Sequence, residues 1–204
     1  AWGLNNYGQA NVPSDLNDVI SIAAGSIVSM ALKSDGTVVV WGSNNYDQIN
    51  VPDNLTNVKS SVSGGFHSMA LKTDGTVVAW GINNYGQATV PADLNDVVSI
   101  AASHKHSIAL KSDGTIVGWG NNNFGQIDAP EGLNDVISIS VGYSHSIALK
   151  RDGTVVAWGD NDYGQTNVPE GLNNVVSIDT FTFHSLALKN DGTIVAWGRN
   201  SDGQ

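Results

Sequence analysis

Apolar and polar residues along this chain alternate in short runs broken by glycine, asparagine and aspartate, a pattern of strands and turns. Residues 136–165 show it in full: Val136 to Ser140 is a β-branched run, a glycine-containing bend follows at Val141 to Ser144, and His145 to Lys150 is a second run. Arg151, Asp152 and Gly153 then form a turn, Thr154 to Trp158 a third run, and a polar loop closes at Gln165. Lys-x-Asp-Gly-Thr between two apolar runs signals a hairpin, because glycine, and less readily aspartate, tolerates the positive φ such turns need. Val97 to Ser112 contains no Gly, Pro, Asn or Asp and could be read as a helix, but the matching stretches carry Gly25, Gly64, Gly65 and Gly142 midway, so strands are expected there too. Within the third run, Val156 and Trp158 project to one side and Val155 and Ala157 to the other, so both faces of the sheet are apolar and must be covered.

The same pattern recurs without insertion. Trp2, Trp41, Trp80, Trp119, Trp158 and Trp197 are each 39 residues apart, as are Gln9, Gln48, Gln87, Gln126, Gln165 and Gln204. Five periods leave a remainder that is a sixth copy of one piece, AWGLNNYGQ at the start against AWGRNSDGQ at the end. Small antiparallel sheets buried on both sides and repeated in register fit blades ranged about an axis. The expected fold is therefore all-β: one β-propeller domain over residues 1–204, built of five 39-residue repeats plus a partial sixth Trp-strand segment. A linear β-solenoid competes less well, since its repeats are usually shorter and lack a tight Asp-Gly hairpin in each period. At the ends, a ring closed by terminal strands sharing a blade is the arrangement adopted, with an open arc of exposed edge strands as the alternative.

Composition narrows the function classes. With no cysteine, thiol catalysis, zinc ribbons and disulfide scaffolds are excluded. Nine Lys+Arg against 19 Asp+Glu give a net charge of -10, and no basic run offsets it, so nucleic acid is not an expected partner. Apolar stretches such as Val38 to Trp41 fall far short of the roughly 20 residues of a spanning helix, so membrane insertion is not expected. The chain opens at Ala1 without a basic or apolar leader, so a targeting signal is expected to be absent or already removed.

Candidate chemistry mostly dissolves into the repeat. His67, His106, His145 and His184 could suggest a metal or a general base, yet they form one column, and Val28 fills it in the first copy without a replacement ligand. A structural hydrogen-bonding role is expected for them, as a packing role is for Trp41, Trp80, Trp119, Trp158 and Trp197; no metal or cofactor is implied. Asp35, Asp74, Asp113, Asp152 and Asp191 are turn formers, and Glu131 and Glu170 are the two glutamates. No calcium loop, P-loop, dinucleotide fingerprint or serine elbow is present, so the chain is not expected to be an enzyme. Tyr7, Tyr46, Tyr85, Phe124 and Tyr163 form an aromatic column that either caps the blades or is exposed for binding. Asp47 stands where other copies have glycine, a replacement aspartate can tolerate at positive φ. Asn54-Leu55-Thr56 matches a glycosylation sequon. The array stops repeating itself in the bend before the histidine column: Ser26-Ile27, Gly65-Phe66, His104-Lys105, Tyr143-Ser144 and Thr182-Phe183. His104, beside Lys105, is expected at the surface as a binding contact.

Written as a consensus, each period is V-x-S-I-x-x-G-x-x-H-S-x-A-L-K-x-D-G-T-x-V-x-W-G-x-N-x-Y-G-Q-x-x-V-P-x-x-L. This resembles the repeat of the regulator-of-chromosome-condensation family of propellers, whose members are usually seven-bladed. The Trp-Gly-x-Asn-x-x-Gly-Gln-x-x-Val-Pro segment is similar to bacterial members, including the propeller-type β-lactamase inhibitors, more than to the eukaryotic exchange factor for the small GTPase Ran. The resemblance implies a non-catalytic module that binds another protein, with the variable bends and the loops after Trp-Gly gathered on one mouth. It implies Phe66, Lys105, Tyr143 and Phe183 as contacts, joined by Asn121, Asp160 and Arg199. Inhibition of a β-lactamase or penicillin-binding enzyme, nucleotide exchange on a small GTPase, and self-association through edge strands as a structural module are the alternatives. An extracellular or cell-surface bacterial setting follows from the same resemblance.

Overall fold

The computed structural model describes residues 1–203, and these form strands, turns and loops with no helix. Each period lays down three strands. Blade one is β1 (Val19–Ala24), β2 (Val28–Lys33) and β3 (Val38–Gly42); blade two is β4 (Val58–Ser63), β5 (His67–Lys72) and β6 (Val77–Gly81). Blade three is β7 (Val97–Ala102), β8 (His106–Lys111) and β9 (Ile116–Gly120); blade four is β10 (Val136–Val141), β11 (His145–Lys150) and β12 (Val155–Gly159). Blade five is β13 (Val175–Phe181), β14 (His184–Lys189) and β15 (Ile194–Gly198). Every blade is an antiparallel three-stranded sheet in sequence order. This is the propeller the repeat predicts, and the fourth-copy strands fall within a residue or so of the apolar runs.

The alternation within each strand becomes the interface between blades. In blade four, Val156 and Trp158 join Ala148 against Ile108 and Leu110 of blade three. Val155 and Ala157 turn the other way, with Ile147 and Leu149, onto Ile178 and Ala187 of blade five. Ile108 and Ile147 are fully buried, each contributing about 1.5–3 kcal/mol relative to exposure. Two local features were not visible in the alternation. A register shift follows the first residue of every opening strand, and the residue it displaces (Ile20, Lys59, Val98, Ile137 or Val176) is exposed. Just before each opening strand, Asp18, Asn57, Asp96, Asp135 or Asn174 takes a positive φ near 57°, a conformation these two residue types adopt more readily than other non-glycines. Asp47 does likewise at φ 58, as its place in the glycine column suggested.

The repeats are also clipped together by polar bonds. The indole Nε1 of Trp80 donates to the backbone carbonyl of Gln48 at 3.0 Å, and Trp119, Trp158 and Trp197 do the same to Gln87, Gln126 and Gln165. Each glutamine belongs to the preceding loop, so every loop is fastened to the blade it leads into. Its side-chain oxygen accepts the N–H two residues earlier, from Tyr46 to Gln48 at 2.8 Å for example, which fixes the aromatic column. Gln204, the sixth of the column, lies outside the described residues.

Of the two arrangements open at the ends, the structure shows the arc. Consecutive blades pack on one another, but no strand of blade five pairs with blade one, and all sheets remain three-stranded. Trp2, expected to complete a shared blade, is 96 % exposed and lies outside any strand. The reason is local: the carbonyl of Gln9 accepts from Trp41 Nε1 at 3.0 Å, so the opening segment serves blade one as the other loops serve theirs. The opening strands β1, β4, β7, β10 and β13 face the axis, where Ala23, Gly64, Ala101 and Ser140 line a cavity of about 540 Å³.

Candidate functional site

One rim of the array is repetitive and the other is not. On the repetitive rim the Asp-Gly turns are pinned alike: Asp113 Oδ1 accepts the backbone N–H of Thr115 at 2.9 Å and its hydroxyl at 2.6 Å. These bonds, foremost the threonine hydroxyl, hold Asp74 at about 2, with Lys72 at 3.2 Å assisting.

At the opposite rim the variable bends meet the loops that follow Trp-Gly. The join is a backbone bond repeated from blade to blade: Ile82 N to Phe66 O at 3.1 Å, Asn121 N to Lys105 O at 2.8 Å, Asp160 N to Ser144 O at 2.9 Å and Arg199 N to Phe183 O at 3.0 Å. Neighbouring bends are tied as well, with Gly65 N to Ser103 O at 3.2 Å and Tyr143 N to Thr182 O at 2.8 Å. Both loop sets thus form one mouth.

Aromatic rings run along this mouth without a break. Tyr46 meets Phe66 edge-on at 5.7 Å, Phe66 meets His104 at 5.7 Å, and His104 meets Tyr143 at 5.1 Å. Tyr143 meets Phe183 at 5.7 Å, and Phe183 meets Tyr163 at 5.1 Å. Edge-to-face and tilted pairs at these separations are favourable for the ring quadrupoles. Lys105 lies over Tyr85 at 5.1 Å and Tyr143 at 5.4 Å, and hydrogen bonding to Tyr143 holds its ammonium above the ordinary value. Arg199 sits over Tyr163 at 5.7 Å and pairs with Asp202 at 3.5 Å.

His104 departs from its expected place at the surface. It is half-buried over Gly65, where a Cβ would strike its ring, and its Nε2 reaches Ser26 Oγ of blade one at 3.0 Å. Burial, then the Lys105 charge, holds its imidazole below the usual pKa. Two other candidates make bonds within their own loops. Asp160 is only 8 % exposed and its carboxylate accepts the Asp162 N–H at 3.0 Å. Asn121 Oδ1 accepts from Gln126 Nε2 at 2.9 Å. In each, one side-chain oxygen is engaged within its own loop. Conversely, Tyr46, Tyr85 and Tyr163, half-exposed at 46–49 %, belong beside the bends. Their column was readable in the sequence; its adjacency to the bends depends on the backbone join.

The histidine column lies beneath the mouth. His67 Nε2 meets Ser107 Oγ of the next blade at 2.8 Å, His106 meets Ser146 at 3.2 Å and His145 meets Ser185 at 3.0 Å. Burial holds His67 and His145 at about 4 and His106 at about 3, so all three are neutral near pH 7. They bridge blades and face no open site. Among the described residues, no cluster of three or more His, Asp or Glu side chains could hold a metal.

The model of the Regulator of chromosome condensation (RCC1) repeat matches residues 19–48, 58–87, 97–126, 136–165 and 182–204. No curated protein matches the chain. Prp20p from Saccharomyces cerevisiae, whose structure was described with its binding to Gsp1p and histones, aligns at 25 % identity over 93 % of this chain and 59 % of its own, with a TM-score of 0.76. Human WBSCR16 aligns at 23 % identity over 91 % and 63 %, with a TM-score of 0.76. The ectodomain of the Physcomitrella patens receptor kinase CR4 aligns at 24 % over 90 % and 53 %, with a TM-score of 0.78. The chain therefore spans less than two thirds of each of these structures, while the last two alignments speak for the fold. The repeat model covers well over half of the residues, and with the bladed architecture it makes this chain a member of the regulator of chromosome condensation repeat family.

Proposed function

We propose that this protein is a non-catalytic binding module whose aromatic mouth grips another protein. The observation that carries this reading is the unbroken run of rings from Tyr46 through Phe66, His104, Tyr143 and Phe183 to Tyr163, with Lys105 laid against it. Large aromatic side chains with few rotatable bonds, joined by a small number of cations, are what interface hot spots use. Their bends are tied by backbone bonds to rigid blades, so little conformational freedom is lost on docking. That Prp20p binds Gsp1p and histones supports protein as the partner class.

The test is a comparative capture with three immobilised forms: wild type, Phe66→Ala with Tyr143→Ala, and Glu131→Ala with Glu170→Ala, two exposed residues outside the mouth. Proteins held by the wild type and the glutamate variant are expected to fall by about tenfold or more on the mouth variant, a difference of about 1.4 kcal/mol. Equal recovery on all three would overturn the proposed face. The finer readings separate in the same preparation, by inhibition of a panel of β-lactamases and by nucleotide release from a small GTPase, each repeated with the mouth variant.

A further inference from the structure

We propose that the mouth takes a segment of its partner protein in which a carboxylate lies next to a large apolar side chain. The carboxylate pairs with Lys105, and the apolar group fills a notch at Ser144 against the ring of Phe124. This rests on the reading of the mouth as a protein-binding face and names what that face selects.

Lys105 differs from the other cations of the molecule. Of the nine Lys and Arg side chains, Lys33, Lys72, Lys150, Lys189 and Arg199 are paired with a carboxylate at 3.2–3.7 Å. Asp113 is held low by its Thr115 bonds and then by the charge of Lys111, and Arg151 shares a hollow with Asp135 and Asp152. Lys59 donates to the Val97 carbonyl at 3.4 Å. Lys105 has two tyrosines in place of an acid. Its Nζ lies 5.1 Å from the centre of the Tyr85 ring and 5.4 Å from that of Tyr143, and hydrogen bonding, first to Tyr143, favours its charged form. Neither ring supplies the negative charge of a carboxylate.

The surroundings leave that charge uncancelled. Two loops border Lys105: residues 82–87, which carry Tyr85, and residues 121–126, whose Asn121 N–H donates to the Lys105 carbonyl at 2.8 Å. Neither loop contains an acid, whereas the corresponding loops at 43–48 and 160–165 contain Asp47, Asp160 and Asp162. The Asp-Gly turn acids stand on the opposite rim, a strand of 6 residues away. That is roughly 20 Å, well beyond the roughly 8 Å over which exposed charges act at physiological salt. A single ammonium in an acid-free sector selects a carboxylate. Held between two rings, it loses little freedom on pairing.

The notch follows from the column of bends. The bend residue just before the histidine column stands 20 residues after the aromatic of the preceding loop and meets it. Phe66 meets Tyr46 at 5.7 Å, Lys105 meets Tyr85 at 5.1 Å and Phe183 meets Tyr163 at 5.1 Å. In blade four the pair is Ser144 and Phe124, and serine is the smallest residue of that column. Ser144 is 6 % exposed and forms a floor, while Phe124 is 52 % exposed and, among the described residues, meets no ring or cation. Tyr143, the neighbour of Ser144, is also one of the two rings at Lys105, so the notch and the ammonium share a wall. A partner segment with an acid next to Phe, Leu, Ile or Trp reaches both, and its apolar group is buried where the bend supplies none.

Selection from a displayed library of random dodecapeptides on the immobilised full chain tests this. The selected peptides are then titrated calorimetrically into wild type, Lys105→Gln, Lys105→Arg, Phe124→Ala and the Phe66→Ala, Tyr143→Ala pair, each shown to be folded by circular dichroism. The peptides are expected to carry Asp or Glu within about two positions of Phe, Leu, Ile or Trp. Lys105→Gln should weaken them about fivefold, Lys105→Arg should restore most of the loss, and Phe124→Ala should weaken them separately. Changing the peptide's acid to its amide should cost wild type the same factor and cost Lys105→Gln nothing, as a direct pair requires. Peptides without an acid, an amide change that costs both proteins equally, or a library that yields no binder would overturn the proposal. Peptides lost on the Phe66→Ala, Tyr143→Ala pair yet kept on Lys105→Gln would overturn it and leave the mouth as the binding face. Peptides kept on both would remove the two readings together.

Discussion

Trp119 shows how much one residue does for the fold: it is 5 % exposed, packs between blades two and three, and donates its indole N–H to Gln87 O at 2.9 Å. Because Ser107 also donates to that carbonyl, Trp119→Phe is expected to lose about 1 kcal/mol for the bond, plus the packing of the smaller ring. Trp119→Ala should lose about 3–5 kcal/mol, both read from urea unfolding. The buried histidines give a pH signature. His67 and His145 titrate at about 4 and His106 at about 3 in the fold, against 6.5 for free imidazole, so below 6.5 the unfolded chain binds more protons. The stability they allow is present in full above 6.5 and is lost as pH falls toward and through about 4. His106→Gln is therefore expected to flatten the dependence of the urea midpoint on pH between about 6.5 and 4; an unchanged slope would contradict the assignment of these rings as neutral bridges.

At the scale of the element, the strands were legible because each is short, β-branched and two-faced, and because the hairpin turn is spelled out in Asp-Gly-Thr. The bulge after Val97 and the left-handed Asp96 were not, since both arise where the connecting loop must rotate the chain into a new blade. The bends were legible as variable, but their distance from the aromatic loop was not, because that depends on one backbone bond across 16 residues of sequence, such as Ile82 N to Phe66 O. Asp160 shows the same dependence: variability in a loop does not reveal that its carboxylate accepts the Asp162 N–H. Close approach in the bends yields a contrast. In Gly64→Ala the new methyl meets the Ser103 carbonyl, backbone that cannot swing aside, whereas Gly86 has open space around it. Gly64→Ala is expected to lose about 1–3 kcal/mol from overpacking, and Gly86→Ala about 1–2 kcal/mol from its positive φ alone. Gly64→Ala should also loosen the blade two to blade three junction in hydrogen exchange, which Gly86→Ala should not.

The described residues form an array of nearest-neighbour interfaces with unlike rims. Its stability should be graded along the chain, because blade three is covered on both sides while blades one and five are each bare on one. Amides of β8 are expected to exchange more slowly than those of β2 and β14, by native-state hydrogen exchange in dilute protein. The central claim, that a rigid repeat displays one irregular mouth for recognition, is tested most directly by the same exchange measured with a captured partner bound. Protection is expected in the bends at 64–66, 103–105, 142–144 and 181–183 and in the adjoining aromatic loops, with the Asp-Gly turns at 35–36, 74–75 and 113–114 unchanged. Protection that falls on those turns, or that spares the bends, would contradict it.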